Sequence, residues 1–133
     1  MEIHHKIAFL ILSKGKILMT RKYDEEQFII PGGKVLPGET HRQTLARELK
    51  EELNLDLVEI RFWGRNFAVH FKNKDKLIIM DSYLVEVKGE PKASSEINEF
   101  SWLDSSYKKK GYKIASIDED YIFPDLKRFG LIN

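Results

Sequence analysis

The sequence predicts an α+β domain in which helices cover a mixed sheet, and three observations point there. Short apolar or alternating runs that read as strands lie on both sides of one long helical stretch. That stretch carries apolar residues at helical spacing, and a second, shorter helical signal follows near residue 124. Strands, a long helix, more strands and a final helix, in that order, suit a sheet with helices packed on it.

Taken in order, Lys6 to Leu12 is a continuous apolar run, Ser13-Lys14-Gly15-Lys16 has turn chemistry, and Ile17 to Lys22 is again extended. Together they read as a hairpin. Tyr23 to Gln27 is a polar loop, and Phe28-Ile29-Ile30 reads as a short strand entering the turn Pro31-Gly32-Gly33, whose glycines allow close backbone approach to an ion or phosphate. Thr40 is the expected N-cap of a helix running to about Leu53. Asp56 to Phe71, rich in aromatics, and Leu77 to Val87 read as a long hairpin about the polar turn Lys72 to Lys76. Gly89-Glu90-Pro91 turns the chain, and Ser94 to Glu99 leads into a short strand, Phe100 to Leu103. Ser105 to Lys113 is polar and Lys-rich; Ser116 with Glu119 has the form of a capping box, and Pro124 starts or kinks a last helix ending near Phe129.

A chain of 133 residues is expected to form one domain with a real core, without disulfides or metal staples. Its 22 Lys and Arg against 21 Asp and Glu exclude a global basic field, so bulk nucleic-acid binding is not expected. The absence of Cys fits a reducing compartment. The apolar run from Ile7 to Leu12 is too short to span a bilayer, no cleavage site follows it, and the cytoplasm is the expected address. Composition leaves the oligomeric state open.

The long helix breaks a local rule. Leu45, Ala46, Leu49 and Leu53 form a narrow apolar stripe, with Glu48 and Glu52 one turn apart on its edge and Glu51 beside them. Like charges so placed repel by about 0.2 to 0.5 kcal/mol per exposed pair, at the end of the helix that is already negative. A hard divalent cation reverses the sign, because it takes carboxylate oxygens and keeps positions open for water and phosphate. Alone, such a cluster is more often an ordinary solvated face, with Arg47 and Lys50 offsetting the charge.

The flanking residues change that balance. Gly33, five residues, Glu39, seven residues, then Arg47-Glu48-Leu49-Lys50-Glu51-Glu52-Leu53-Asn54-Leu55 closely resembles the Nudix box, G-x5-E-x7-R-E-U-x-E-E-x-G-U with U aliphatic. Asn54 stands where that family has Gly; Asn is the next best residue for the left-handed conformation that ends a helix. The resemblance implies the Nudix fold, an α/β/α sandwich with a mixed central sheet, and Mg²⁺- or Mn²⁺-dependent hydrolysis of a nucleoside diphosphate linked to another group. It matches Glu48, Glu51 and Glu52 to metal-binding carboxylates and the carbonyl of Gly33 to a further ligand. Glu39 and Arg47 match the pair that braces loop against helix, a task suited to a forked guanidinium. Family members also recruit an acid before a late strand, and here Glu96 is preferred to Glu99.

For the substrate, Lys34 after the double glycine and Arg21 are the expected phosphate contacts. Phe28, Phe67, Tyr83 and residues 121 to 125 are candidates for a base platform, although strands and helices also need aromatics for packing. His4, His5, His41 and His70 lack ligand spacing and are assigned no role. The PGGK turn is similar to that of MutT-like members, which implies a (d)NTP or oxidised (d)NTP cleaved to monophosphate and pyrophosphate. Markers of related subgroups are missing: His70 and Phe71 occupy the region where ADP-ribose hydrolases carry a Pro, and the motifs of NADH, dinucleotide and coenzyme A hydrolases are absent or fragmentary. An ADP-ribose or nucleotide-sugar substrate, or a sensing module without activity, remains the alternative.

Overall fold

A computed structural model describes residues 1–70 and 73–133. Phe71 and Lys72, assigned above to the end of a strand and to a turn, lie outside the described residues.

The strands are β1 (Glu2–Leu10), β2 (Leu12–Ser13), β3 (Lys16–Lys22), β4 (Gly32–Gly33), β5 (Asp56–Val69), β6 (Lys76–Lys88) and β7 (Ile97–Leu103). The helices are α1 (His41–Leu53) and α2 (Phe123–Arg128), the latter entered through one π turn, Asp118–Ile122. Four strands form a mixed sheet in the order β4-β1-β6-β5, with β1 parallel to β6 and the other pairs antiparallel. Three form an antiparallel sheet, β2-β3-β7.

The expected hairpin of the first apolar run with Ile17 to Lys22 is corrected. Only Leu12–Ser13 pairs with β3, while β1 lies in the middle of the other sheet and the chain changes sheets at Ile11. Burial explains this: Ile7 to Leu10 are fully inaccessible, so both faces of that strand must be covered, which a central strand beside a parallel neighbour provides. Phe28 to Ile30 is likewise not a strand; it makes single bridges, Ile29 to Thr20 and Phe28 to Ile114. The long hairpin is present as β5 and β6, with irregularities at Leu57/Glu59 and Phe62/Gly64.

The core is two-sided. On one face of the mixed sheet, Leu45, Leu49 and Leu53 of α1 pack with Ile7, Phe9, Ile11 and Leu18. On the other, Ala8, Leu10 and Met80 meet Ile17 and Met19 of the second sheet together with Ile122, Phe123 and Leu126 near α2. The space between the sheets is filled at one end and open at the other, and that opening is the cleft described next. Among the described residues no helix is long and apolar enough to cross a membrane.

Candidate active site

Helix α1 is fixed at both ends before any tertiary contact. Thr40 accepts from the Gln43 amide and the Gln43 side chain accepts from the Thr40 amide, a reciprocal capping box. At the other end Asn54 is left-handed, φ 56°, and its amide reaches the carbonyls of Leu49 and Lys50. With the leucine stripe turned to the sheet, Glu52 is carried inward to 3% exposure, and the Glu51 side chain stays outward, about half exposed.

Gly32 and Gly33 bring the loop against this helix. A Cβ on Gly32 would overlap the carbonyl of Ile7, and one on Gly33 would overlap the carboxyl of Glu48. Arg47 holds the junction: its Nε and Nη2 donate to the two oxygens of Glu39 at 2.8 and 3.0 Å, Nη1 donates to Glu48 at 2.7 Å, and Nη2 also donates to the Lys34 carbonyl at 3.1 Å. Glu39 further accepts from the Leu36 amide and the Thr44 hydroxyl, and these bonds, Arg47 foremost, pull its carboxyl down to about 2. Arg47 is correspondingly held more firmly protonated, chiefly by Glu39.

The loop before β7 is docked on the exposed end of α1. Lys92 and Ser94 amides donate to the carbonyls of Leu53 and Glu52, and the Ser94 hydroxyl donates to that of Glu51 at 2.6 Å. Orphan carbonyls of the helix end are thereby satisfied, and Glu96, two residues on, is delivered to the cleft, 3.8 Å from Lys22 Nζ.

The cleft, about 420 Å³, is lined on the mixed-sheet side by His4, Lys6, Gly33, Lys34, Ile78 and Met80, and elsewhere by Lys22, Ile29, Glu48, Glu96, Ile117 and Asp118. Glu52 lies beneath it with Oε2 buried and unpartnered. Burial pushes its carboxyl up to about 8; Lys6 opposes that, while Glu48 and Glu96 add to it. A carboxylate so desolvated, with an orphaned oxygen and two acids nearby, is the donor chemistry that a hard cation satisfies. Among the described residues, though, no three acid or imidazole groups stand gathered around one point, since Arg47 holds Glu48 and Glu51 is turned outward.

Of the residues singled out from the sequence, Gly33, Lys34, Glu48 and Glu96 line this cleft, Glu52 lies under it, and Glu39 and Arg47 stand behind its rim. The remaining substrate candidates do not belong to its wall. Phe28 is 5% exposed and packs edge-on against Tyr112, 5.3 Å between centroids, inside the core. Tyr83 is on the opposite, α1-facing side of the mixed sheet, with its hydroxyl 2.6 Å from His41 Nδ1. Arg21 is spent on Glu99 at 2.8 Å and on the carbonyls of Lys22 and Glu25. Phe67 faces the same way as Ile79, away from the cleft, and Asp125 pairs with Arg128.

Sequence reasoning missed Lys6 and Asp118. Lys6 Nζ donates to the Ile30 carbonyl at 2.6 Å, the Ile30 amide donates to Asp118 Oδ2 at 3.1 Å, and Asp118 Oδ1 is buried and unpartnered. Burial pushes Asp118 up to about 6 against the pull of Lys6, and pushes Lys6 down. The signal available beforehand was a lysine opening an otherwise apolar run and an acid beside a helix start; neither reveals a partner so distant in sequence.

The NUDIX domain family model matches residues 4–107. An 8-oxo-dGTP diphosphatase of Haemophilus influenzae is 37% identical over 82 residues, 58% of this chain and 58% of that protein. An RNA pyrophosphohydrolase of Yersinia enterocolitica is 32% identical over 71 residues, 52% of this chain and 40% of that protein. The matches thus span little more than half, or less, of these relatives' own length. The solution structure of the ORF135 protein of E. coli superposes with a TM-score of 0.71 at 27% identity, over 97% of this chain and 89% of that one.

Proposed function

Because the chain belongs to the NUDIX domain family, we propose that it hydrolyses nucleoside diphosphates linked to a further group, with a (d)NTP or oxidised (d)NTP cleaved to the monophosphate and pyrophosphate. The observation that carries this reading is the buried Glu52 carboxyl, its Oε2 unpartnered, beside Glu48 and Glu96 at a cleft that also offers lysines and an apolar floor. The relative from Haemophilus influenzae, an 8-oxo-dGTP diphosphatase, favours the oxidised nucleotide.

The residues divide the work by their chemistry. Glu48, Glu51, Glu52 and the Gly33 carbonyl would hold a divalent cation, Mg²⁺ or Mn²⁺, which supplies Lewis-acid neutralisation of phosphate charge and a more acidic bound water. Glu39 and Arg47 keep Glu48 and the loop in register. Glu96, on a separate segment, is placed to accept a proton from water in the cleft. Lys34 and Lys22 bind phosphate oxygens, and Ile29, Met80 and Ile117 offer apolar contact for a base, whose polar edge meets Asp118.

Glu52→Gln tests the assignment. The neutral amide replaces a carboxyl whose charged form burial already disfavours, so the fold is expected to survive with an unchanged circular dichroism spectrum, while Mg²⁺-dependent turnover falls by about 10²-fold or more. Wild-type turnover in the variant discards the assignment. A wild-type protein inert towards NTPs, oxidised dNTPs, ADP-ribose and dinucleotides in Mg²⁺ would make it a binding module instead.

A further inference from the structure

The cleft has a cationic corner that the carboxylates do not explain. His4 of β1 stands in one row across the mixed sheet with Ile78 of β6 and Ala68 of β5, and all three line the cleft. The four charged groups acting most strongly on its imidazole are all basic: Lys34 after β4, Lys76 at the start of β6, Lys6 one row along β1, and His70 after β5. Burial and these neighbours hold His4 below the usual imidazole range. Its Nδ1 is buried and unpartnered, and among the described residues no carboxylate pairs with the Lys34 ammonium; Lys76, by contrast, has Glu2 at 3.7 Å.

Each of these features is a cost in the protein by itself. Cations crowded about an imidazole repel its charged form, and a buried ring nitrogen without a partner forfeits the hydrogen bond it had in water. One anion placed among them turns every one of those terms favourable, through charge-assisted bonds from the imidazole and the ammonium. A base would not do so, because it brings no charge. The attacked phosphate belongs beside the carboxylates and their cation, so the group suited to His4, whose strongest charged neighbours among the described residues are all basic, is a phosphate further along the tail.

Resting on the hydrolase reading above, we propose that His4 and Lys34 form an anion subsite for the terminal phosphate of the substrate, the end that leaves within pyrophosphate. His4 is then a substrate-contacting residue on the leaving-group side, and the subsite favours a nucleotide with a free terminal phosphate over one whose diphosphate is capped by a sugar.

The test uses His4→Ala and His4→Lys with two product inhibitors, inorganic pyrophosphate and the nucleoside monophosphate. His4→Ala is expected to raise the pyrophosphate inhibition constant and the KM for the triphosphate by about tenfold, to leave kcat and monophosphate inhibition near their wild-type values, and to be rescued in large part by His4→Lys. Equal weakening of both inhibitors, or of neither, overturns the subsite. A second measurement stands apart from catalysis: the His4 imidazole resonance of metal-free wild-type protein, followed against pH with and without inorganic pyrophosphate. An upward move of its titration on adding pyrophosphate supports the subsite even if no nucleotide is hydrolysed, in which case the hydrolase reading falls alone. An unmoved titration overturns the subsite even in an active enzyme.

Discussion

Gly33 shows how narrow the tolerances of this site are. A methyl group at that position runs into the Glu48 carboxyl, which Arg47 already fixes at 2.7 Å. The flexible glutamate has to yield rather than the sheet, so Gly33→Ala is expected to displace Glu48 and lower kcat/KM by about tenfold or more, with at most a small loss of stability. Steady-state kinetics together with a urea midpoint check this; an unaltered kcat/KM would mean that the Glu48 placement is irrelevant to turnover. Gly32 gives the opposite kind of constraint. Its methyl would strike the backbone carbonyl of Ile7, where nothing flexible can give way, so substitution there is a fault of the fold before it is a fault of the site.

At the level of elements, α1 was almost entirely legible. Its start, its stripe and its end depend on residues within a turn of one another, so Thr40, the leucines and Asn54 could be read without knowing the fold. The first strand was not, because local rules pair consecutive extended runs, whereas the fully buried run Ile7 to Leu10 is better served between β4 and β6. The same distinction separates the site residues. Glu39, Arg47 and the helix glutamates belong to one continuous stretch, but Lys6 and Asp118, 112 positions apart, are brought together across the fold on either side of the Ile30 backbone. Phe28 lies in the core and Tyr83 on the α1-facing side of the mixed sheet, positions that aromatic character alone does not foretell, since it states neither the face of a sheet nor the depth of a side chain. Asn54→Ala tests the helix end. An alanine held left-handed costs about 1 kcal/mol, expected as a lower urea midpoint, and the amides of Lys92 and Ser94 that dock on this end should exchange faster with solvent.

In the whole molecule, the carboxylate cluster and the core are separate structures. Two apolar clusters hold the sheets and helices together, and neither needs an ion to close. Chelation by EDTA is therefore expected to abolish hydrolysis while leaving the far-ultraviolet spectrum and a single cooperative unfolding transition in place. Loss of the transition on chelation would show that the cation is structural.

The parallel pairing of β1 with β6 also governs the order of assembly. During synthesis the apolar run from Ile7 to Ile11 emerges well before its long neighbour, which begins only at Lys76. At ordinary elongation rates of about 5 to 20 residues per second, that segment waits on the order of 4 to 15 s without its partner. Through that interval the fully buried run has only the two residues of β4 beside it, so yield in the cell should respond to ribosome-associated holdases more than native stability would suggest.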